Sequence, residues 1–316
     1  MIIEIILFHL NCKLVYKCAR AYNLTINNSY NRGETMRIVH TDTVKDAVKN
    51  LFIEANFDIG ESVFKVIQDS IRKEKSQLGQ SVLGKIYDNN ILAKKERIAI
   101  CQDTGMSVVF IQIGQDIHFE GDYINDAINQ GVREAYEEGY LRKSVVRDPL
   151  FERVNTKDNT PAIIHTSIIP GDKIFIEVMP KGFGSENMST LKMFAPSAGI
   201  DGVKQFIIDA IEKAGPNACP PMIVGVGIGG TFEYASYLAK KAVLRGPDHK
   251  HPDPRYRELE EEILTKVNKT GIGPAGLGGL TTAFAVNIEV YPTHIASIPV
   301  AINISCHASR HASIEI

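Results

Sequence analysis

The sequence predicts an α/β fold: a helix-rich N-terminal part, followed by mixed β-sheet with flanking helices. Three observations predict it. In the front section Val44, Ala47, Val48, Leu51, Phe52 and Ala55 recur at helical spacing and share one face. Further along, short runs rich in β-branched residues take over, such as "AIIHTSII" and "KIFIEVM". Helical patterns then return between strand-like runs, the alternation expected when helices cover sheets.

The elements follow in order. The first helix is expected to be capped near Thr41 or Asp42. Val63, Phe64, Ile67 and Ile71 repeat its pattern after Gly60, and a third, short helix covers Ser81–Asn89. Two short apolar runs, Ile98–Ile100 and Val108–Ile111, flank the polar cluster "CQDTG" and read as strands. A helix with Ile124, Ala127, Ile128, Val132 and Ala135 on one face comes next. Pro170-Gly171-Asp172 is a turn signal, which predicts that the strands on either side form a hairpin.

Val203, Phe206, Ile207, Ala210 and Ile211 form another helix, stopped by Gly215-Pro216. "MIVGVGI" reads as a buried strand, and Thr231 as the cap of a helix carrying Tyr234–Leu244. A charged helix with Tyr256, Leu259, Ile263 and Val267 comes after it. Two late strands, "TTAFAVNIEV" and "SIPVAINIS", lead to Cys306. "RGPDHKHPDPRYRE" is the most loop-like stretch and reads as a solvated surface excursion. No internal repeat and no low-complexity linker is visible.

Composition narrows the class. At 316 residues, 44% hydrophobic and 23% charged, the chain is ordinary for a globular protein. A net charge of −2 argues against a polyanion as main partner. No apolar run reaches the roughly 18–20 residues that span a bilayer. The five cysteines are odd in number, far apart and never in a CxxC pair. That spacing argues against a disulfide framework and for a reducing, cytoplasmic setting.

Residues 1–35 do not resemble the rest of the chain. "IIEIILF" lacks the preceding basic residues and following cleavage site of a signal peptide. Arg32-Gly33-Glu34 can be encoded by a purine-rich stretch resembling a ribosome-binding site. Met36 therefore reads as the true start, residues 1–35 as a leader or disordered extension, and 36–316 as one domain. On that reading Cys12 and Cys18 carry no chemistry.

"VGVGIGG" satisfies G-x-G-x-x-G through Gly225, Gly227 and Gly230, between an apolar run and a helix. A dinucleotide fold also requires a strand ending in an acid about 20 residues on. The chain there reads "KAVLRGPDHKHPDP", with no apolar run. Two other readings stay open: close packing at a strand-to-helix turn, and a bed of N–H donors for an anion or cluster. "GIGPAGLGG" raises the same choice.

Cys101, Cys219 and Cys306 each stand at a strand or loop end with polar or rigid neighbours. Taken singly, each reads as a small buried hydrophobe. Taken together, they suggest one site built from distant segments. Zinc favours closer pairs, although Cys306, His307 and His311 mimic part of a zinc pattern. Three thiolates alone suit a cubane iron–sulfur cluster with one iron lacking a protein ligand. Such an iron can act as a Lewis acid in adding or removing water.

Six motifs in order carry a resemblance: "CQDTG", "NTKDNTPAIIHT", "PKGFGSENMSTLKMF", "NACPPMIVGVGIGGTFEYA", "GIGPAGLGG" and "PTHIASIPVAINISCHASRHA". From Met36 to the C-terminus the chain resembles the α half of class I, iron–sulfur-dependent fumarate hydratases. The wider family includes the α subunit of L-tartrate dehydratase.

The resemblance implies an iron–sulfur hydro-lyase α domain with a [4Fe-4S] cluster on Cys101, Cys219 and Cys306. It places Gln102, Arg142, Gly182 and Gly184 around a small dicarboxylate. Asp103 is implied as proton donor to the departing hydroxyl, and His294 as a catalytic partner that bonds the substrate or orients Asp103. The base for the C3 proton belongs to the β half in this family, which implies a separate β subunit and an α2β2 assembly. The reaction implied is reversible hydration of fumarate to (S)-malate, with L-tartrate dehydration as the alternative. An electron-transfer or redox-sensing protein would need a fourth thiolate instead.

Overall fold

Helix α1 (Thr41–Phe57) forms where the apolar spacing places it and buries Val44, Val48, Leu51, Phe52 and Ala55. Its cap is one residue earlier than expected: His40 Nδ1 accepts a 3.3 Å bond from the Asp42 amide. Helix α2 (Glu61–Lys73) matches the second pattern. Helix α3 (Gln77–Glu96) is much longer than the short helix expected over Ser81–Asn89. Ser76 starts it by accepting from the Gly79 amide, and Arg97 in the left-handed region ends it. The Ile98–Ile100 run after it is not a strand. Its backbone is taken up by Asn56 and Asn89 instead: Ile100 N donates to the Asn56 carbonyl, and Asn89 Nδ2 donates to the Ile100 carbonyl.

The computed structural model describes residues 36–316, and Ile38–Ile316 form one compact unit. The leader expected over 1–35, with Cys12 and Cys18, lies outside the described residues. Strands β1 (Arg37–His40) and β3 (Ile117–Glu120) make a two-stranded ribbon. Two four-stranded sheets carry the rest.

In the first sheet β2 (Met106–Gly114) is central, parallel to β4 (Ile163–Ile169) and antiparallel to β5 (Ile174–Lys181). Strand β10 (Ala312–Glu315) closes the outer edge of β5. The expected hairpin of β4 and β5 is therefore absent: β2 lies between them. Pro170-Gly171-Asp172 does turn the chain, but it turns over the end of β2. Gly114 makes that crossing possible, since a side chain there would meet the Gly171 carbonyl oxygen at 2.3 Å.

The second sheet repeats this plan. Strand β7 (Met222–Gly230) is central, parallel to β8 (Ala283–Thr293) and antiparallel to β9 (Ile298–Ser305), with β6 (Thr190–Phe194) on the outer edge of β9. The two late strands are present, but again the central strand separates them. A repeat with no trace in the sequence is thus present in the topology.

Helix α4 (Ile124–Glu138) carries the chain from β3 to β4 and packs with α1 on Val109, Ile111, Ile174, Ile176 and Val178. Gly131 allows that approach, since a Cβ there would lie 2.4 Å from the Lys45 carbonyl oxygen. A single helical turn, α5 (Phe183–Glu186), comes after β5. Helices α6 (Gly199–Ala214) and α8 (Pro254–Asn268) cover the Val224, Val226, Ile288 and Ile302 face of the second sheet. Helix α7 (Phe232–Leu244) lies on its other face. Val108, Phe110, Ile223 and Phe284 join α2, α3 and the end of α7 in a third cluster, shared by both sheets.

The stretch read as a surface loop ends in helix, with Pro254–Glu258 forming the start of α8. Asp253 Oδ1 accepts from the Arg255 amide at 2.9 Å and caps α8, while His251 is buried against the Tyr256 ring. Among the described residues no helix is long and apolar enough to cross a membrane.

Candidate active site

The two sheets bring their cysteine-bearing ends together. Cys101 lies in the loop before β2, Cys219 precedes β7, and Cys306 directly succeeds β9. The β7–β9 register sets Ile223 against Ser305, so Cys219 and Cys306 share one end of the second sheet. His307 N also donates to the Cys219 carbonyl at 3.2 Å. Cys101, Gln102, Cys219, Pro220 and His307 line a cavity of about 430 Å³.

Burial, with Cys306 and Cys101 nearby, pushes the Cys219 thiol up. Three thiols crowd one another there, since a second and third negative charge disfavour the thiolate. Among the described residues no group of three His, Cys, Asp or Glu side chains could hold a single metal ion.

The "QDTG" segment is held from several sides. Asp103 Oδ1 accepts from the Gly105 amide at 3.0 Å, and Oδ2 from the Phe183 amide at 2.9 Å. That second bond ties α5, with Gly182 and Gly184, to the cysteine segment. Gly182 sits against the carboxylate: a Cβ there would lie 3.2 Å from Asp103 Oδ2. Gly105, at φ +79°, lies on the Lys181 backbone with no room for a side chain. Thr104 Oγ1 donates to the Arg142 carbonyl at 2.9 Å and so fixes the exposed Arg142 beside the same turn.

Four further residues complete the frame, and the sequence did not single them out for it. Tyr136 Oη donates to the Thr104 and Gly105 carbonyls at 2.7 and 2.9 Å, and burial pushes its pKa up to about 12. Asn159, from "NTKDNTPA", donates to the Gly105 carbonyl and accepts from the Ser144 amide. Arg310 Nη2 donates to the Asp103 carbonyl at 2.7 Å.

Lys181, only 2% exposed, donates to the Gly182 carbonyl and to Ser185 Oγ, and pairs with Glu186 at 3.3 Å. Burial pushes its pKa down to about 8, against the pull of Glu186; Lys240 adds to the fall and Cys306 opposes it. No local signal marks these residues. Each is an ordinary residue type whose partner is distant in the chain.

His294 is not brought to this end. It lies just past β8, whose Thr293 pairs with Gly230 at the far end of β7. The eight residues of β9 then separate it from Cys306, roughly 23–26 Å at about 3.3 Å per residue. Its neighbour Ile295 is 90% exposed. The zinc-like spacing also divides: His307 lines the cavity, while burial pushes the His311 pKa down, against the pull of Glu177 and with a further push from His249.

The glycines of "VGVGIGG" lie within β7 and serve packing. A Cβ at Gly225 or Gly227 would meet α7 carbonyl oxygens at 2.1 and 2.0 Å. "GIGPAGLGG" ends against a buried carboxylate: Glu74 Oε2 accepts from the amide of Leu280, the next residue, at 2.8 Å, and Gly279 leaves it room.

The sequence family described as "Fumarate hydratase (Fumerase)" matches residues 45–315. A Methanocaldococcus jannaschii protein, provisionally named L(+)-tartrate dehydratase subunit alpha, is 43% identical over 273 residues, covering 85% of this chain and 96% of that protein. L(+)-tartrate dehydratase subunit alpha of Escherichia coli is 34% identical over 247 residues, 77% of this chain and 80% of its own. The Shigella sonnei protein of the same name gives the same figures. By sequence match, the chain belongs to the fumarate hydratase (Fumerase) family of hydro-lyases.

Proposed function

We propose that this chain is the α subunit of an iron–sulfur hydro-lyase that reversibly hydrates fumarate to (S)-malate. Cys101 and Cys219 line one cavity, and Cys306 lies near enough to push the Cys219 thiol up; this gathering of three distant cysteines carries the reading. Three crowded thiols favour a cation between them, and a 430 Å³ cavity suits a polynuclear group better than a single ion. A [4Fe-4S] cluster held by three cysteines would supply an open iron, a Lewis acid for a substrate hydroxyl.

The remaining roles belong to this chain's own residues. Arg142 forks onto a substrate carboxylate, a charge-assisted pair. Gly182 and Gly184 leave their turn without side chains, so a carboxylate can approach the backbone. Gln102 offers an amide beside Cys101. Asp103 has each oxygen in one backbone bond, and each oxygen keeps a second lone pair. Oδ2 can therefore carry the proton that leaves with the hydroxyl. A β partner supplies the base for the C3 proton. His294 reaches a substrate only from a second copy of this chain, which an α2β2 assembly provides.

Fumarate is favoured by "GFGSENMSTLK" and "NTKDNTPA". L-tartrate, with one more hydroxyl, is the second reading, favoured by the names of the relatives. The test is anaerobic reconstitution with a β partner, measuring iron, labile sulfide and turnover of malate and L-tartrate. Equal iron and sulfide, lost in Cys219→Ser, with malate turned over faster than L-tartrate, is the expected result. Faster L-tartrate turnover selects the second reading, and a protein that takes up no iron overturns both.

A further inference from the structure

We propose that His307 is a positioning residue whose Nε2–H donates a hydrogen bond to a sulfur of the group held by the three cysteines. The proposal rests on the cluster reading and assigns a role to a residue outside the ligand and substrate sets.

Three observations carry it. First, His307 is stapled between two cysteine segments: it directly succeeds Cys306, and its amide donates to the Cys219 carbonyl at 3.2 Å. Second, His307 is one of the residues lining the cavity that Cys101 and Cys219 also line. Third, its two ring nitrogens are in different settings. Nδ1 is sealed from solvent with no hydrogen-bond partner, whereas Nε2 is not sealed. The ring therefore opens through Nε2, and we take that opening to be the cavity His307 lines.

The tautomer is set by the cost of burial. A sealed N–H donor without an acceptor is a rare and costly arrangement, more so than a sealed bare lone pair. The ring proton accordingly belongs on Nε2, the nitrogen that is not sealed. The cavity also holds the amides of Asn89 and Gln102, but these are engaged with the Ile100 carbonyl and the Cys101 thiol, so a bound cluster would bring sulfur as the open acceptor. A donor at that point stabilises the more anionic, reduced state and raises the reduction potential. No ligand bond is assigned to the ring, so the cluster stays on three cysteines.

The test uses the assembled, anaerobically reconstituted enzyme and reads the cluster itself. In wild type reduced with one electron, pulsed magnetic-resonance spectra with ¹⁵N-histidine should show coupling to one histidine nitrogen and one exchangeable proton. His307→Leu should lose both signals and shift the midpoint potential to more negative values. His307→Gln, whose amide N–H reaches towards the place of Nε2, should keep the proton signal and a potential near wild type. A wild-type cluster without histidine coupling overturns this proposal alone, even where the leucine variant fails to fold. An unmoved potential in a folded His307→Leu enzyme does the same. A wild type free of iron and sulfide overturns the cluster reading, and this proposal with it.

Discussion

Thr104 shows how a residue with no evident chemistry sets a site. Its hydroxyl holds the Arg142 carbonyl, and its own carbonyl accepts from Tyr136. Gln102 and Asp103 are thus fixed relative to Arg142 by a neighbour that needs no contact with substrate. Tyr136 clamps two buried carbonyls and shares that of Gly105 with Asn159, so Tyr136→Phe should cost about 1–3 kcal/mol in denaturant unfolding. Activity should fall further than the stability loss explains, because the turn loosens. Asp158 makes a pH prediction. Burial alone would raise its pKa, but the Thr160 amide and hydroxyl and Arg133 outweigh it and hold the carboxyl at about 2, below its ordinary 3.8. A depressed folded pKa contributes stability that is present above 3.8 and lost as pH falls towards 2. Acid unfolding of Asp158→Asn should therefore show a shallower loss over that window than wild type; an unchanged slope would refute the assignment.

Among elements, β7 and α7 pack backbone against backbone. Gly225 and Gly227 remove two side chains from one face of β7, and the α7 backbone fills the space. The other face keeps Val224 and Val226 for the core beneath α6 and α8. Gly227→Ala would press a methyl into the Ala235 carbonyl oxygen, 2.0 Å away. We expect overpacking of about 1–3 kcal/mol or more, seen as a lower melting temperature. A neutral result would mean that α7 can lift from the sheet. Helix α5 works differently. Its four residues hold no core, and it is located by Asp103 at one end and Lys181 inside the turn.

For the whole molecule, the repeated sheet plan explains where the site lies. Each central strand starts at the same end, so the segments before β2 and β7, and those after β5 and β9, gather there. That geometry also excludes His294, which the β8–β9 connection carries to the opposite end. If a second copy supplies it, two inactive α variants should complement each other. Mixing Cys101→Ser and His294→Ala subunits with a β partner is expected to recover about a quarter to a half of wild-type turnover, whereas either alone stays low. Absence of recovery in mixed complexes, verified by mass, would place His294 outside catalysis.

Much of this architecture was legible in the sequence because helices and buried strands declare themselves locally. Val44 to Ala55 and Ile124 to Ala135 predicted their helices from spacing alone, and "MIVGVGI" its strand. The cysteines also drew attention through their neighbours. Strand order was not legible: alternation shows which faces are buried but not which strand lies beside which, so the expected hairpin of β4 and β5 has β2 between its strands. The same limit hid Tyr136, Asn159, Lys181 and Arg310, whose roles exist only through partners far along the chain. By itself the sequence determined most of the helices and buried strands and the motifs that carry the family. Tertiary structure alone decided that Cys101, Cys219 and Cys306 meet and that His294 does not join them, because long-range strand pairing sets which ends coincide.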